Sequence, residues 1–184
     1  YERIGSTNQG TENLMLGISD PHYPSYRDVA VATKASDLTN CKNTTKDTTG
    51  AKCPQTPKDV GWYITLDDFQ KVTAEPTVSS GLVYFPIYKP SSSVNKCSLG
   101  DAFICGVDDE CGTNVSNKLG SFRNKKDSCM YVGQGVLSRI VVYANKLFAN
   151  IAGQSTNAQK KDLVVLDAAA GGTSSYRSSW RQNY

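Results

Sequence analysis

Apolar positions along the chain fall into short runs, with polar stretches rich in Gly, Pro, Ser, Thr and Asn between them. Residues 13–19 (NLMLGIS) form the first run, and the Asp20-Pro21 that follows favours a turn. Residues 28–33 (DVAVAT) and 62–66 (WYITL) are β-branched or aromatic enough to predict strands. Residues 71–78 (KVTAEPTV) alternate, and Pro76 puts this strand at an edge or near its own end. After a Ser79-Ser80-Gly81 turn, residues 82–88 (LVYFPIY) predict a strand that must accommodate Pro86. Residues 102–107, 130–132, 136–144, 146–151 and 163–167 continue the series. Ala144-Asn145-Lys146 fits a tight hairpin turn, since Asn tolerates the left-handed region. The spacing over 136–151 can also be drawn as a helix, but Val, Ile, Tyr and Phe dominate it and Asn145 interrupts it. No window of about 12 residues or more carries a 3.6-residue apolar stripe.

The expected fold class is therefore mostly β: short antiparallel strands with long disulfide-stapled loops, spaced as partial β-propeller-like blades would be. A propeller blade takes about 40 to 45 residues, so the strands here amount to about two or three blades. A closed ring needs at least about four blades. If blade-like, this chain is expected to be a piece of a ring or to pack on partner chains. Residues 34–59 are a long polar stretch containing Pro54 and Pro57, which a compact domain keeps only if it is functional or stapled. The expected organisation is an N-terminal strand and stapled polar loop over residues 1–60, then a β-rich region over 61–184, together one compact domain.

Composition narrows the function classes. The chain has 184 residues and a net charge of +3, too small and scattered a charge to argue for nucleic acid. No stretch approaches the roughly 20 apolar residues of a membrane-spanning helix. Cys41, Cys53, Cys97, Cys105, Cys111 and Cys129 are even in number, and none sits in a Cys-x-x-Cys pair, which disfavours zinc ribbons and thioredoxin-like sites. Such a set reads as disulfides made in an oxidising compartment. The most local pairing, Cys41–Cys53, Cys97–Cys105 and Cys111–Cys129, would close loops that have little to bury. Each bond would contribute on the order of 3 kcal/mol through the unfolded state. The opening on Tyr1 rather than Met is read as a mature or fragmentary product whose export signal has been removed.

Catalytic patterns are weak. His22 is the sole histidine and lies in a Pro21-His22-Tyr23-Pro24 turn, away from any nucleophile motif, so packing or surface exposure is its plainer role. Asp67-Asp68 would point to opposite faces of a strand and reads as a turn. Gly133-Gln134-Gly135 and Gly171-Gly172 lack a phosphate-loop pattern and also read as turns. Arg123 with Lys125-Lys126, and Lys160-Lys161, read as solvated basic clusters. Asn43-Thr44-Thr45 and Asn114-Val115-Ser116 are glycosylation-type sequons. The ten tyrosines are the one aromatic bias, suited equally to half-buried strands and to interfaces.

Residues 61–88 (GWYITLDDFQKVTAEPTVSSGLVYFPIY) resemble a stretch of the type IV pilus tip adhesin family, the PilY proteins, in which a Gly-Trp-Tyr strand, a Lys-Val-x-x-x-Pro segment and a Gly-x-Val-x-Phe strand follow one another. Lys96-Cys97-Ser98, with Gly100, resembles the Cys-Ser-x-Gly that comes next in that family. Residues 162–172 (DLVVLDAAAGG) resemble its blade ending, and residues 176–181 (YRSSWR) its C-terminal Arg-x-Ser-Trp-Arg. The resemblance covers residues 61–184 in order and implies a PilY-like, propeller-derived domain on a bacterial surface. The family's calcium loop has no counterpart of matching spacing. Asp101, Asp108, Asp109, Glu110 and Asn114 could supply some calcium oxygens, but a solvated acidic loop is the plainer reading of Asp108-Asp109-Glu110. No metal or cofactor is assigned.

The function expected is a non-enzymatic, extracellular structural or adhesive component of a bacterial type IV pilus, exported through the periplasm. It would be a globular filament subunit or the C-terminal domain of a tip adhesin. Expected partners are other pilus subunits, including a short helical pilin supplying the filament core, and a host or mineral surface. Edge strands and Tyr-bearing loops would make the contacts, stiffened by disulfides. The alternatives are a fragment of a quinoprotein-like propeller dehydrogenase, suggested by DLVVLDAAAGG, and a secreted carbohydrate-binding module.

Overall fold

The computed structural model describes residues 13–18, 38–41, 61–67, 69–91, 99–113, 128–153 and 162–168. All regular structure among them is β, with no helix. The strands are β1 (Leu14–Ile18), β2 (Thr39–Asn40), β3 (Gly61–Thr65), β4 (Lys71–Val72), β5 (Thr77–Ser79), β6 (Leu82–Lys89), β7 (Asp101–Asp108), β8 (Cys129–Gln134), β9 (Val136–Leu137), β10 (Val141–Tyr143), β11 (Lys146–Ala152) and β12 (Leu163–Asp167). The candidate strand at 28–33 and the C-terminal YRSSWR lie outside the described residues.

Pairing gathers these strands into three sheets. One has the order β1-β3-β2, the second runs β4-β6-β7-β8 with β5 also on β6, and the third runs β10-β11-β12 with β9 also on β11. All pairs are antiparallel except β2 with β3. Thus β3, the first strand after residue 60, pairs with two strands that precede it.

The period-two alternation of strands explains how the sheets stack. On β6 and β7, Leu82, Tyr84, Ala102 and Ile104 point to one side and pack with Leu137, Ile140, Leu147 and Ala149 of the third sheet's region. The intervening Val83, Phe85, Ile87, Cys105 and Val107 point to the other side and pack with Met15, Trp62 and Leu66 of the first. The β4–β8 sheet is therefore a middle layer covered on both faces. That is why Leu82–Tyr88 reads as an uninterrupted apolar run and is buried at every position.

Two tight hairpins follow the sequence expectation. Ser80 and Gly81 have φ of 56° and 79°, and Ala144 and Asn145 have φ of 47° and 58°, positive at both central residues as a type I′ hairpin turn requires. Ser79 opposes Leu82 and Tyr143 opposes Lys146 across these turns.

Two expected strands are each split. Val72 opposes Ile87 and Thr77 opposes Tyr84, so the four residues 73–76 face only residues 85–86. Thr73 donates its N–H to the Pro86 carbonyl at 3.3 Å, so the backbone N of Pro86 lies on that same edge, where the neighbouring strand bulges away. The bulge is what lets a proline sit inside a central strand. In the second case Leu137 opposes Ile151 and Val141 opposes Phe148, so residues 138–140 face residues 149–150. The extra residue turns Ile140 into the core, where it is fully buried. Gly133-Gln134-Gly135 is not a turn either: β8 carries an irregularity opposite Ala102 and Phe103, and Gly135 bends the chain into β9. A Cβ at Gly135 would lie 2.5 Å from the Ala152 carbonyl, so the crossing needs glycine.

The expected cysteine pairing is corrected. Cys105 is bonded to Cys129, 24 residues on, which excludes both Cys97–Cys105 and Cys111–Cys129. The reason is tertiary: Cys105 and Cys129 are directly opposed in the β7–β8 ladder, with Cα atoms 4.0 Å apart. Cys111 is also disulfide-bonded, and Cys41 is buried against Trp62 and Met15. Cys53 and Cys97 lie outside the described residues.

Candidate interaction site

The first sheet is held to the middle layer by Trp62. Its indole is 3% exposed and donates Nε1–H to the Asp109 carbonyl at 3.0 Å. Gly17 lies against one part of the ring and Gly112 against another; a Cβ at either would come within 2.3 Å and 2.4 Å of ring carbons, respectively. Gly112 also has a φ of 63°. The turn bearing it is tightly bonded. Asp108 accepts the N–H groups of Glu110 and Cys111 on its carboxylate at 3.1 and 3.0 Å, and its own carbonyl accepts from Gly112 at 2.8 Å. A one-residue glycine inside the first apolar run was the only signal of this packing in the sequence.

This turn revises the reading of the acidic cluster. Asp108 is buried and spends its carboxylate on the turn, while Glu110 is exposed, so only part of the cluster is solvated. Asp101 and Asp108 stand at opposite ends of β7, on the order of 23 Å apart at the usual rise per residue, too far to share one ion. Among the described residues no three His, Cys, Asp or Glu side chains are grouped to hold a metal ion. Asn114 and His22 lie outside the described residues. Asp67 opens a turn, accepting from the Gln70 N–H at 2.9 Å, as expected of Asp67-Asp68.

Beside Trp62 a groove of about 570 Å³ opens between the first sheet and β5. Met15, Leu16, Gly17 and Ile18 form one wall, Pro76 and Val78 the other, and Gly61, Trp62 and Val83 complete the lining. Asp109 and Glu110 add carboxylates to this otherwise apolar surface.

A second surface lies on the outer face of the third sheet. Val141, Phe148 and Val165 are aligned across β10, β11 and β12, followed by the row Tyr143, Lys146 and Asp167. Val141, Tyr143, Leu163 and Val165 are all exposed, Tyr143 to 73%. Lys146 and Asp167 are ion-paired within this face. The outer face of β1 is apolar as well, with Leu14, Leu16 and Ile18 exposed.

The described tyrosines differ in exposure. Tyr84 and Tyr88 are buried in the middle sheet, while Tyr131 and Tyr143 are exposed. Tyr131 is edge-on to Phe103, with ring centroids 5.7 Å apart. Trp62, the largest aromatic of the described core, offers no open ring face to a sugar. No helix of the described residues is long and apolar enough to cross a membrane. No protein-family model, no curated protein and no solved structure matches the chain.

Proposed function

We propose that this chain is a non-enzymatic structural component of a bacterial surface filament of the type IV pilus class, exported and disulfide-stapled. The observation that carries this reading is the apolar outer face of the third sheet, where Val141, Phe148 and Val165 form a continuous row. Contiguous exposed apolar surface of this kind marks an interaction site. The stack ends on a surface chemically like its own interior, as a part of a larger β assembly would. The PilY-like motifs add to this, because residues 61–88 supply β3 to β6 and residues 163–167 supply β12, strands that build all three layers.

In this role β10–β12 pack against a neighbouring sheet or subunit, and the Lys146–Asp167 pair lies at the edge of that contact. The Cys105–Cys129 bond ties two strands of the middle layer against shear. The quinoprotein alternative rests on the DLVVLDAAAGG motif alone, whose Asp167 is ion-paired with Lys146 on an exposed face. The test is immunogold electron microscopy of native cells. Label along filaments or at their tips is expected; label confined to dispersed, unassembled protein overturns the reading.

A further inference from the structure

Among the described residues the first sheet ends on a strand whose own residues lack the usual protection of an edge. Natural edge strands carry a charge, a proline or a bulge to prevent pairing with another chain. β1 is Leu-Met-Leu-Gly-Ile, with none of these. Its bonding polarity follows from the neighbouring contacts. Leu66 donates its N–H to the Asn13 carbonyl at 2.9 Å, so by antiparallel alternation Met15 and Gly17 bond toward β3. The backbone groups of Leu14, Leu16 and Ile18 face the other edge, and among the described residues no strand pairs with it.

That edge opens onto the groove. Four consecutive residues of β1, Met15 to Ile18, line it, so side chains from both faces of the strand take part and the groove follows the strand's edge. The exposed Pro76 and Val78 offer apolar contact, and Asp109 and Glu110 carry the only charges of the lining.

We propose that this groove takes up an extended apolar peptide segment bearing Lys or Arg, added as a further strand along β1. Main-chain bonds to Leu16 and Ile18 supply affinity, as in other strand additions. The apolar side chains on one face of the segment fill the groove beside Pro76 and Val78, and basic side chains near its ends reach around its outer edge to Asp109 and Glu110. The charge complementarity selects a basic partner over an acidic one. The uptake of a strand here is independent of the filament reading, which rests on the opposite end of the stack.

The test uses the full chain and the labelled hexapeptide Lys-Val-Thr-Val-Lys-Val, followed by fluorescence anisotropy. Saturable binding is expected. Replacing both lysines of the peptide by Glu, or introducing Asp109→Asn with Glu110→Gln in the chain, should weaken binding by about tenfold. Replacing the central Thr of the peptide by Pro should abolish binding, because Pro removes a ladder donor. Leu16→Pro in the chain should do the same while leaving the bonds to β3 in place, and the proline peptide asks the same question should that variant not fold. Absence of binding, equal binding of the Glu peptide, or equal binding of the proline peptide overturns the proposal. So does a dimer in sedimentation velocity that Leu16→Pro converts to monomer, since a second copy would then occupy the edge.

Discussion

The β6–β7 hairpin of the middle sheet and the β10–β12 face of the third sheet are built from the same kinds of residue, yet they meet different surroundings. In β6 every residue from Leu82 to Tyr88 is buried. In β12, Leu163 and Val165 are exposed while Val164 and Leu166 pack inward. Both strands are apolar on both faces; among the described residues only the first has a sheet over each. An apolar strand therefore has two fates here, and the outer one keeps an uncovered surface of core-like chemistry. Covering side chains such as Val165 or Leu163, each already half buried, would contribute on the order of 1 kcal/mol each, which gives a partner sheet a reason to dock.

The contrast can be broken by substitution. Phe85→Ala, in the doubly covered layer, should cost about 3–5 kcal/mol through lost burial and a cavity, measured by urea denaturation. Removing the Cys105–Cys129 bond with paired serines should cost about 3 kcal/mol, read as a lower denaturation midpoint than that of the unsubstituted chain, both measured without reductant. Gly112→Ala should cost about 1–3 kcal/mol, because the new methyl collides with Trp62 at a residue of positive φ. A red shift of tryptophan emission should accompany it as the indole is displaced. Val141→Lys with Val165→Lys, on the uncovered face, should change stability by no more than about 0.5 kcal/mol. The same pair of lysines should nevertheless prevent incorporation into filaments in native cells. Equal destabilisation by the Phe85 and Val141/Val165 substitutions would erase the distinction between the layers.

Much of the local architecture was legible. Ser80-Gly81 and Ala144-Asn145 announce their hairpins because residues that tolerate positive φ sit between alternating apolar runs. Val, Ile and aromatic enrichment identified β3, β6, β7, β11 and β12 within a residue or two of their ends, and β1 falls inside the apolar run 13–19. The splitting of residues 71–78 and 136–144 was not legible, because each break answers to a partner: the first to Pro86 on β6, the second to the core position taken by Ile140. The interaction surfaces were less legible still. Gly17, Trp62 and Gly112 are far apart in the chain, and nothing local says that they share one contact.

The residue sequence by itself determined the β class, the tight turns and which positions on each strand are apolar, since these depend on neighbours along the chain and a period of two. Tertiary structure alone decided which apolar run became the middle layer, that Cys105 meets Cys129 rather than Cys97, and that β1 is an edge strand among the described residues, beside Trp62. Those outcomes depend on which strands lie side by side, a non-local choice made by the summed burial of whole sheets rather than by any one segment.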